Sequence, residues 1–239
     1  MKKTILLLSL ICISTLIFWN CQKEKVISDT EYEQAVLYEI IPAILDSIYY
    51  DKRIPIPPPP PPGFFDKEKY KTDINTAIED YRKSDRYKSD MANMHRVKDS
   101  LKNDPAPVFL VVSDSVNHFE KTDPKALSKH FKIADSLIKQ SGKDYKIDLN
   151  RLKSNNEKIK FKYRSAYPEA REFWRTDYGY FIAANIGFSR ILFNKTKTYG
   201  VLNFGFTMDI LNGSGFRIFI KKNTKGKWLI DKIEGTWIS

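Results

Sequence analysis

Thiols are almost absent from this chain. Its 239 residues include two cysteines, and both, Cys12 and Cys21, fall within the first 21 positions. Everything after Cys21 is free of disulfides and of thiolate metal sites. Histidine is nearly as scarce. His95, His118 and His130 stand apart and none belongs to a His-Glu-x-x-His pair, so neither a metal nor a cofactor is expected. There is no Gly-rich phosphate loop and no dinucleotide fingerprint. Gly213-Ser214-Gly215 lacks the G-x-S-x-G pattern of a nucleophile elbow. No apolar run reaches the ~20 residues that cross a bilayer.

What the N-terminus does contain is a short apolar run, Ile5 to Phe18, behind Lys2 and Lys3. Its length suits the core of a signal peptide. Cys21 follows closely. A cysteine in that place resembles the lipobox of bacterial lipoproteins in a loose form. Phe18, Trp19 and Asn20 stand where that family carries a branched aliphatic, a small residue, and Gly, Ala or Ser. The resemblance implies that residues 1–20 are removed and that Cys21 becomes the acylated, palmitate-bearing first residue. The protein would then be exported and lipid-anchored to the cell envelope, at the outer membrane, facing the periplasm or the cell surface. Two acyl chains give stable anchoring at ~0.8 kcal/mol per buried methylene. Residues 21–28, with Gln22-Lys23-Glu24-Lys25, read as a tether between anchor and fold.

Charge is unevenly spread. The whole chain carries a formal +11, and the last 53 residues hold nine Lys or Arg against three Asp or Glu. Nucleic acid is the reflex partner for such a balance, but an exported chain is not expected to meet it. The partners left are the lipid bilayer through Cys21, an envelope protein, and an acidic glycan or lipid headgroup.

Residues 29–239 read as a single α+β domain. Asp29 is placed to cap a helix in which Leu37, Ile41, Ile44, Leu45 and Ile48 recur at three- and four-residue spacing. Glu31, Glu33, Glu39 and Asp46 mark its polar face, and Pro42 should kink it. Residues 55–63, with six consecutive prolines, form a stiff polyproline connector. Residues 66–103 carry two helical stripes, one through Ile74, Ala77 and Tyr81 and one through Tyr87, Met91, Met94, Val97 and Leu101. Both read as core, with Ser84-Asp85 capping the second helix. Val108–Val112 is a continuous apolar run that suggests a buried strand. A further helix should start at Thr122-Asp123-Pro124 and reach about Lys139. Lys158–Tyr163 alternates like a strand, Ser165–Arg175 suits a short helix, and Asp177–Gly187 is ambiguous.

The clearest part is the end. Leu202, Phe204, Phe206, Met208 and Ile210 alternate with Asn203, Gly205, Thr207 and Asp209, and Phe216, Ile218 and Ile220 follow the same period. Ile233 falls out of phase with Trp228 and Ile230, which points to a bulge near Asp231-Lys232. Asn212-Gly213 and the loop ending at Gly226 supply hairpin turns. The expected fold is therefore N-terminal helices packed on a C-terminal four-stranded antiparallel meander. Ser189-Arg190, Phe193-Asn194, Gly213-x-Gly215, Lys221-Lys222, Gly226-Lys-Trp-x-Ile and Trp237-Ile-Ser together resemble the C-terminal block of uncharacterised Bacteroidetes-type lipoproteins. That resemblance implies a sheet and an envelope location and carries no activity.

Few residues invite chemistry. Asp114, Ser115 and His118 follow a strand end, where α/β enzymes place catalysts, although Asp-Ser is also an ordinary turn pair. Trp174, Tyr178, Tyr180 and Phe181 can line a pocket between sheet and helices or simply fill core. Arg190 sits among apolar strand neighbours. A solvent-facing arginine is the expectation there, with a buried pair as the alternative. The leading functional expectation is a non-enzymatic binding or interaction module. The alternatives are a hydrolase-like enzyme near Asp114, Ser115 and His118, or a structural component of an outer-membrane assembly.

Overall fold

The structure, a computed structural model, describes residues 27–57, 59–60, 74–118, 120–121, 123–134, 138–139 and 144–239. Cys21, the apolar run before it and most of the tether lie outside these residues, as does part of the polyproline stretch. Among the described residues no helix is long and apolar enough to cross a membrane.

Helix α1, Asp29–Ile48, is the element on which one face of the sheet closes. Ser28, not Asp29, is its cap. The Glu31 N–H donates to Ser28 Oγ at 3.2 Å and the Ser28 N–H donates to Glu31 Oε2 at 3.0 Å, a reciprocal capping box. Leu37, Ile41 and Ile44 are fully buried, each worth about 1.5–3 kcal/mol of apolar burial. Pro42 lies within the helix without ending it. The expected polar face needs correction. Glu33 turns inward and is buried, and Glu39 accepts the Trp228 N–H at 3.0 Å.

Helices α2 (Ile74–Lys83) and α3 (Asp85–Asn103) are not the sheet cover expected of them. α2 buries only Ala77 and Tyr81, and α3 buries no residue. Their stripes pack on each other, with the Tyr81 and Tyr87 rings 5.3 Å apart. Ser84 caps α3, as the sequence indicated, by accepting the Tyr87 N–H. Lys158 Nζ, donating to the Leu101 and Lys102 carbonyls at 2.7 Å each, ties the end of α3 to the sheet.

The sheet is larger than a meander. Among the described residues it has eight strands: β1 (Val108–Val112), β2 (Ile138–Lys139), β3 (Ile159–Tyr163), β4 (Ile182–Phe188), β5 (Leu192–Asn194), β6 (Tyr199–Asp209), β7 (Asn212–Lys222) and β8 (Trp228–Ile238). β1 runs parallel to both β3 and β4. β4 and β5 follow one another along one edge of β6, and β6, β7 and β8 continue antiparallel. The expected meander is thus one half of a mixed sheet. Its missing half begins in the ambiguous segment, where Ala183, Ala184 and Asn185 of β4 hide the period. β1 reads as a continuous apolar run because both its faces are covered, Val108 and Leu110 by the main core and Val111 by a second cluster.

Three local expectations also change. Helix α4, Asp123–Phe131, stops at Lys132, whose φ of 54° leaves the helical region, and residues 138–139 form β2 instead of more helix. The expected short helix at 165–175 is a 3-10 turn at Arg164–Ala166 followed by α5, Glu172–Arg175. The β6–β7 turn is Ile210-Leu211, because Asp209 pairs with Asn212. Asn212-Gly213 lies inside β7. The β7–β8 loop runs one residue further than expected, to Lys227, and turns at Gly226, whose φ is 80°. The bulge falls at Asp231, between the pairs Phe219–Lys232 and Ile220–Ile230.

Candidate functional site

The two faces of the sheet are built from different residues. Leu202, Phe204, Phe206 and Met208 of β6 point to the α1 side. Among the described residues the opposite face carries apolar cover at its two ends. At one end α4 packs Leu127 on Leu192, Val201 and Phe219. His130 stacks on Phe219 at 4.1 Å and bonds Asp231 through Nε2 at 2.7 Å. At the other end Tyr167 and Phe173 pack on Val111 and Ile182. Between the two covers lies a groove of about 250 Å³.

Glycines make its floor. Gly187, Gly205 and Gly215 are register partners across β4, β6 and β7, and Gly215 pairs with Trp237 of β8. The Trp237 indole lies flat on Gly215, where a Cβ would come within 1.9 Å of its Nε1. At the far end, Ser113 Oγ sits 3.0 Å from the place a Gly187 Cβ would take. At Gly205, no described residue comes within 4 Å of the place a Cβ would take. The floor is thus open at its centre and flanked by an indole and a hydroxyl.

One wall is a polar cluster held by Asp123, which is fully buried. Its carboxylate accepts from Asn203 Nδ2 at 2.8 Å, from Arg217 Nε at 3.0 Å and from the Glu120 N–H at 2.7 Å. Arg217 also reaches Glu120 Oε2 at 3.3 Å. Burial pushes the Asp123 carboxyl above its usual range, and the Glu120 N–H, Arg217 and Asn203 only partly offset it. The rim is the segment after β1. Asn117 pins it by donating its N–H to the Phe188 carbonyl at 2.8 Å and accepting from the Arg190 N–H at 2.7 Å. Asn203, two residues from Gly205 on β6, lines the groove with its amide donating to Asp123.

The residues singled out in the sequence fall differently. Asp114, Ser115 and His118 do not converge. Asp114 accepts from the Ser165 N–H at 2.9 Å and from Ser165 Oγ at 2.6 Å. Burial works against its charge, but the Ser165 bonds outweigh it and hold the carboxyl below its usual range. Ser115 is exposed and bridges to Lys146. Of the three only His118 reaches the groove, at its rim, with Nδ1 3.2 Å from Asp144. Trp174, Tyr178, Tyr180 and Phe181 do line a cavity, of about 180 Å³. The chain's own Lys52 occupies its mouth. Lys52 Nζ lies 5.3 Å from the Trp174 ring and 5.8 Å from the Phe181 ring, and donates to the Met208 carbonyl at 2.6 Å. Burial lowers its pKa.

Arg190 is not solvent-facing. Its side chain and that of Glu33 are 3% and 4% exposed and form a two-pronged pair, with Nη2 on Oε2 and Nε on Oε1. Glu33 also accepts the Ile191 N–H at 2.9 Å. Burial alone would lower the Arg190 pKa, and the Glu33 carboxylate more than restores it. This pair locks α1 to the sheet and leaves the groove face untouched.

Sequence reasoning missed the groove. Its signals were present as an isolated glycine inside a strong strand pattern at Gly205, which marks a close approach or an open floor, and as the Gly-x-Gly at 213–215 read as a turn. Among the described residues no cluster of His, Asp, Glu or Cys can hold a metal ion. Compared with family models, curated proteins and solved structures, the chain matches none of them.

Proposed function

We propose that the protein is an exported, lipid-anchored envelope protein that works as a non-enzymatic binding module, with the groove over Gly205 as its ligand site. The location rests on the sequence, on Cys21 close behind Ile5–Phe18 and Lys2-Lys3. The binding role is supported by one feature above all, a floor left open at Gly205 between polar walls. A binding site needs such a concave, partly polar surface. A hydrolytic site would also need a nucleophile and base within hydrogen-bond reach, and the separation of Asp114, Ser115 and His118 weighs against it. In this reading the bilayer is the first partner. The basic excess of the C-terminal block favours apposition to an envelope protein, an acidic glycan or a lipid headgroup over nucleic acid.

The test of the anchor is metabolic labelling with an alkyne fatty acid in a bacterial host that processes lipoproteins. Wild type is expected to take the label and sediment with membranes, and Cys21→Ala to do neither. Equal labelling of both, or an unlabelled wild type, refutes it.

A further inference from the structure

The groove's chemistry is specific enough to name a ligand class. The Trp237 indole rests one face on the Gly215 backbone and is 45% exposed, so its other face is offered to the groove. A flat aromatic surface held in place by backbone is a platform for the C–H face of a sugar ring. Beside it, neutral polar side chains line the groove, Asn117, Ser189, Asn203 and Thr236, and such groups exchange hydrogen bonds with hydroxyls. Arg217, the cation of the wall, is already engaged by Asp123 and Glu120, so among the described residues the wall is not arranged to select an anion. An apolar ligand would strip water from these side chains without replacing its hydrogen bonds. At about 250 Å³ the space lies just below the ~300–1,000 Å³ of typical small-molecule pockets, which suits one or two rings.

We infer that this groove binds an uncharged carbohydrate, one sugar ring stacking on Trp237 over the open floor at Gly205. The inference rests on the binding reading given above and is independent of the lipid anchor, so either can fail alone.

The test is calorimetric titration of the full chain, in detergent, with neutral gluco-, xylo- and manno-oligosaccharides of two to six units. An oligogalacturonate and an oligo-glucosamine serve as charged probes. Two variants accompany wild type. Trp237→Ala removes the platform. Gly205→Val fills the floor at a place where a Cβ meets nothing within 4 Å, so its melting temperature should match or exceed that of wild type. At least one neutral oligosaccharide is expected to bind. Both variants should weaken it at least tenfold, equivalent to ~1.4 kcal/mol, with tryptophan fluorescence changing on binding in wild type only. No binding of any neutral probe overturns the inference. Equal affinity in wild type and both variants overturns the placement. Tighter binding of either charged probe overturns the uncharged assignment.

Discussion

Arg190→Met keeps an unbranched apolar stem and removes the charged guanidinium. It leaves the Glu33 carboxylate, 4% exposed, facing the Ile191 N–H and a buried apolar side chain. Breaking a buried pair this way costs about 3–5 kcal/mol, because the remaining charge is neither hydrated nor neutralised. A domain of this size is held by ~5–15 kcal/mol in all, so the change removes a large share of it. At ~2–4 °C per kcal/mol for a chain of 150–250 residues, the melting temperature should fall by roughly 6–20 °C. Urea unfolding followed by circular dichroism measures the free energy directly. The double variant Glu33→Leu/Arg190→Met sharpens the test. It replaces the pair with apolar groups of similar reach, which is often neutral or stabilising, so it should recover most of what Arg190→Met loses. If Arg190→Met loses less than ~1 kcal/mol, the range of a surface pair, or the double variant is no better than the single one, the pair is not the lock between α1 and the sheet.

Other outcomes follow from the same geometry. Gly200→Ala should lose about 1–3 kcal/mol by overpacking, since its Cβ would lie 3.0 Å from Ile220 and 3.1 Å from both Ile191 and Phe193; thermal melts beside Gly205→Ala, which should be neutral or stabilising by ~0.5–1 kcal/mol, make the comparison. Ser28→Ala removes the capping box and should lower stability by ~0.5–2 kcal/mol, read by urea titration. Asp114 has a carboxyl lowered in the folded state by Ser165, so its contribution is complete above the ordinary carboxylate value of 3.8 and disappears as pH falls through the lower folded value. The melting-temperature gap between wild type and Asp114→Asn should hold steady from about pH 5 to 7 and close as pH drops below about 4; a gap that widens on acidification reverses the sign.

Legibility in the sequence tracked how local each cause was. β6 and β7 were readable because their period of two is enforced residue by residue by the α1 face. The bulge at Asp231 was readable because it shifts that period. Glu33 was not: its spacing on α1 fits the polar stripe, and only Arg190, 157 positions away, makes an inward carboxylate tolerable. β4 was hidden for a similar reason. It is flanked by parallel β1 and antiparallel β6, and small residues such as Ala183 and Ala184 fit where its covered faces leave little room. The α2–α3 stripes looked like core because helical periodicity reports amphipathicity without naming the surface it packs on; here each helix is mainly the other's partner. Of the groove residues, His118 was marked for a different purpose, and Trp237 and the glycines appeared only as motif letters. Their meaning depends on cross-strand register, which a single strand's pattern does not contain.

The groove face is also costly to the fold, and that bears on its purpose. A glycine inside a strand forfeits ~0.5–1 kcal/mol relative to alanine, and here three of them, Gly187, Gly205 and Gly215, sit in one cross-strand row. On the same face β8 shows what an ordinary solvated surface looks like, with Lys232 and Glu234 paired to each other in water. At Gly215 the missing Cβ is required by the Trp237 ring, and at Gly187 by Ser113, so those positions serve packing. Gly205 serves neither, since nothing lies within 4 Å of its absent Cβ. A valine there would strengthen the strand and shield the Asn203 side chain next to it. What an open position between an indole and a polar wall retains, at the expense of stability, is space for something that is not part of the chain.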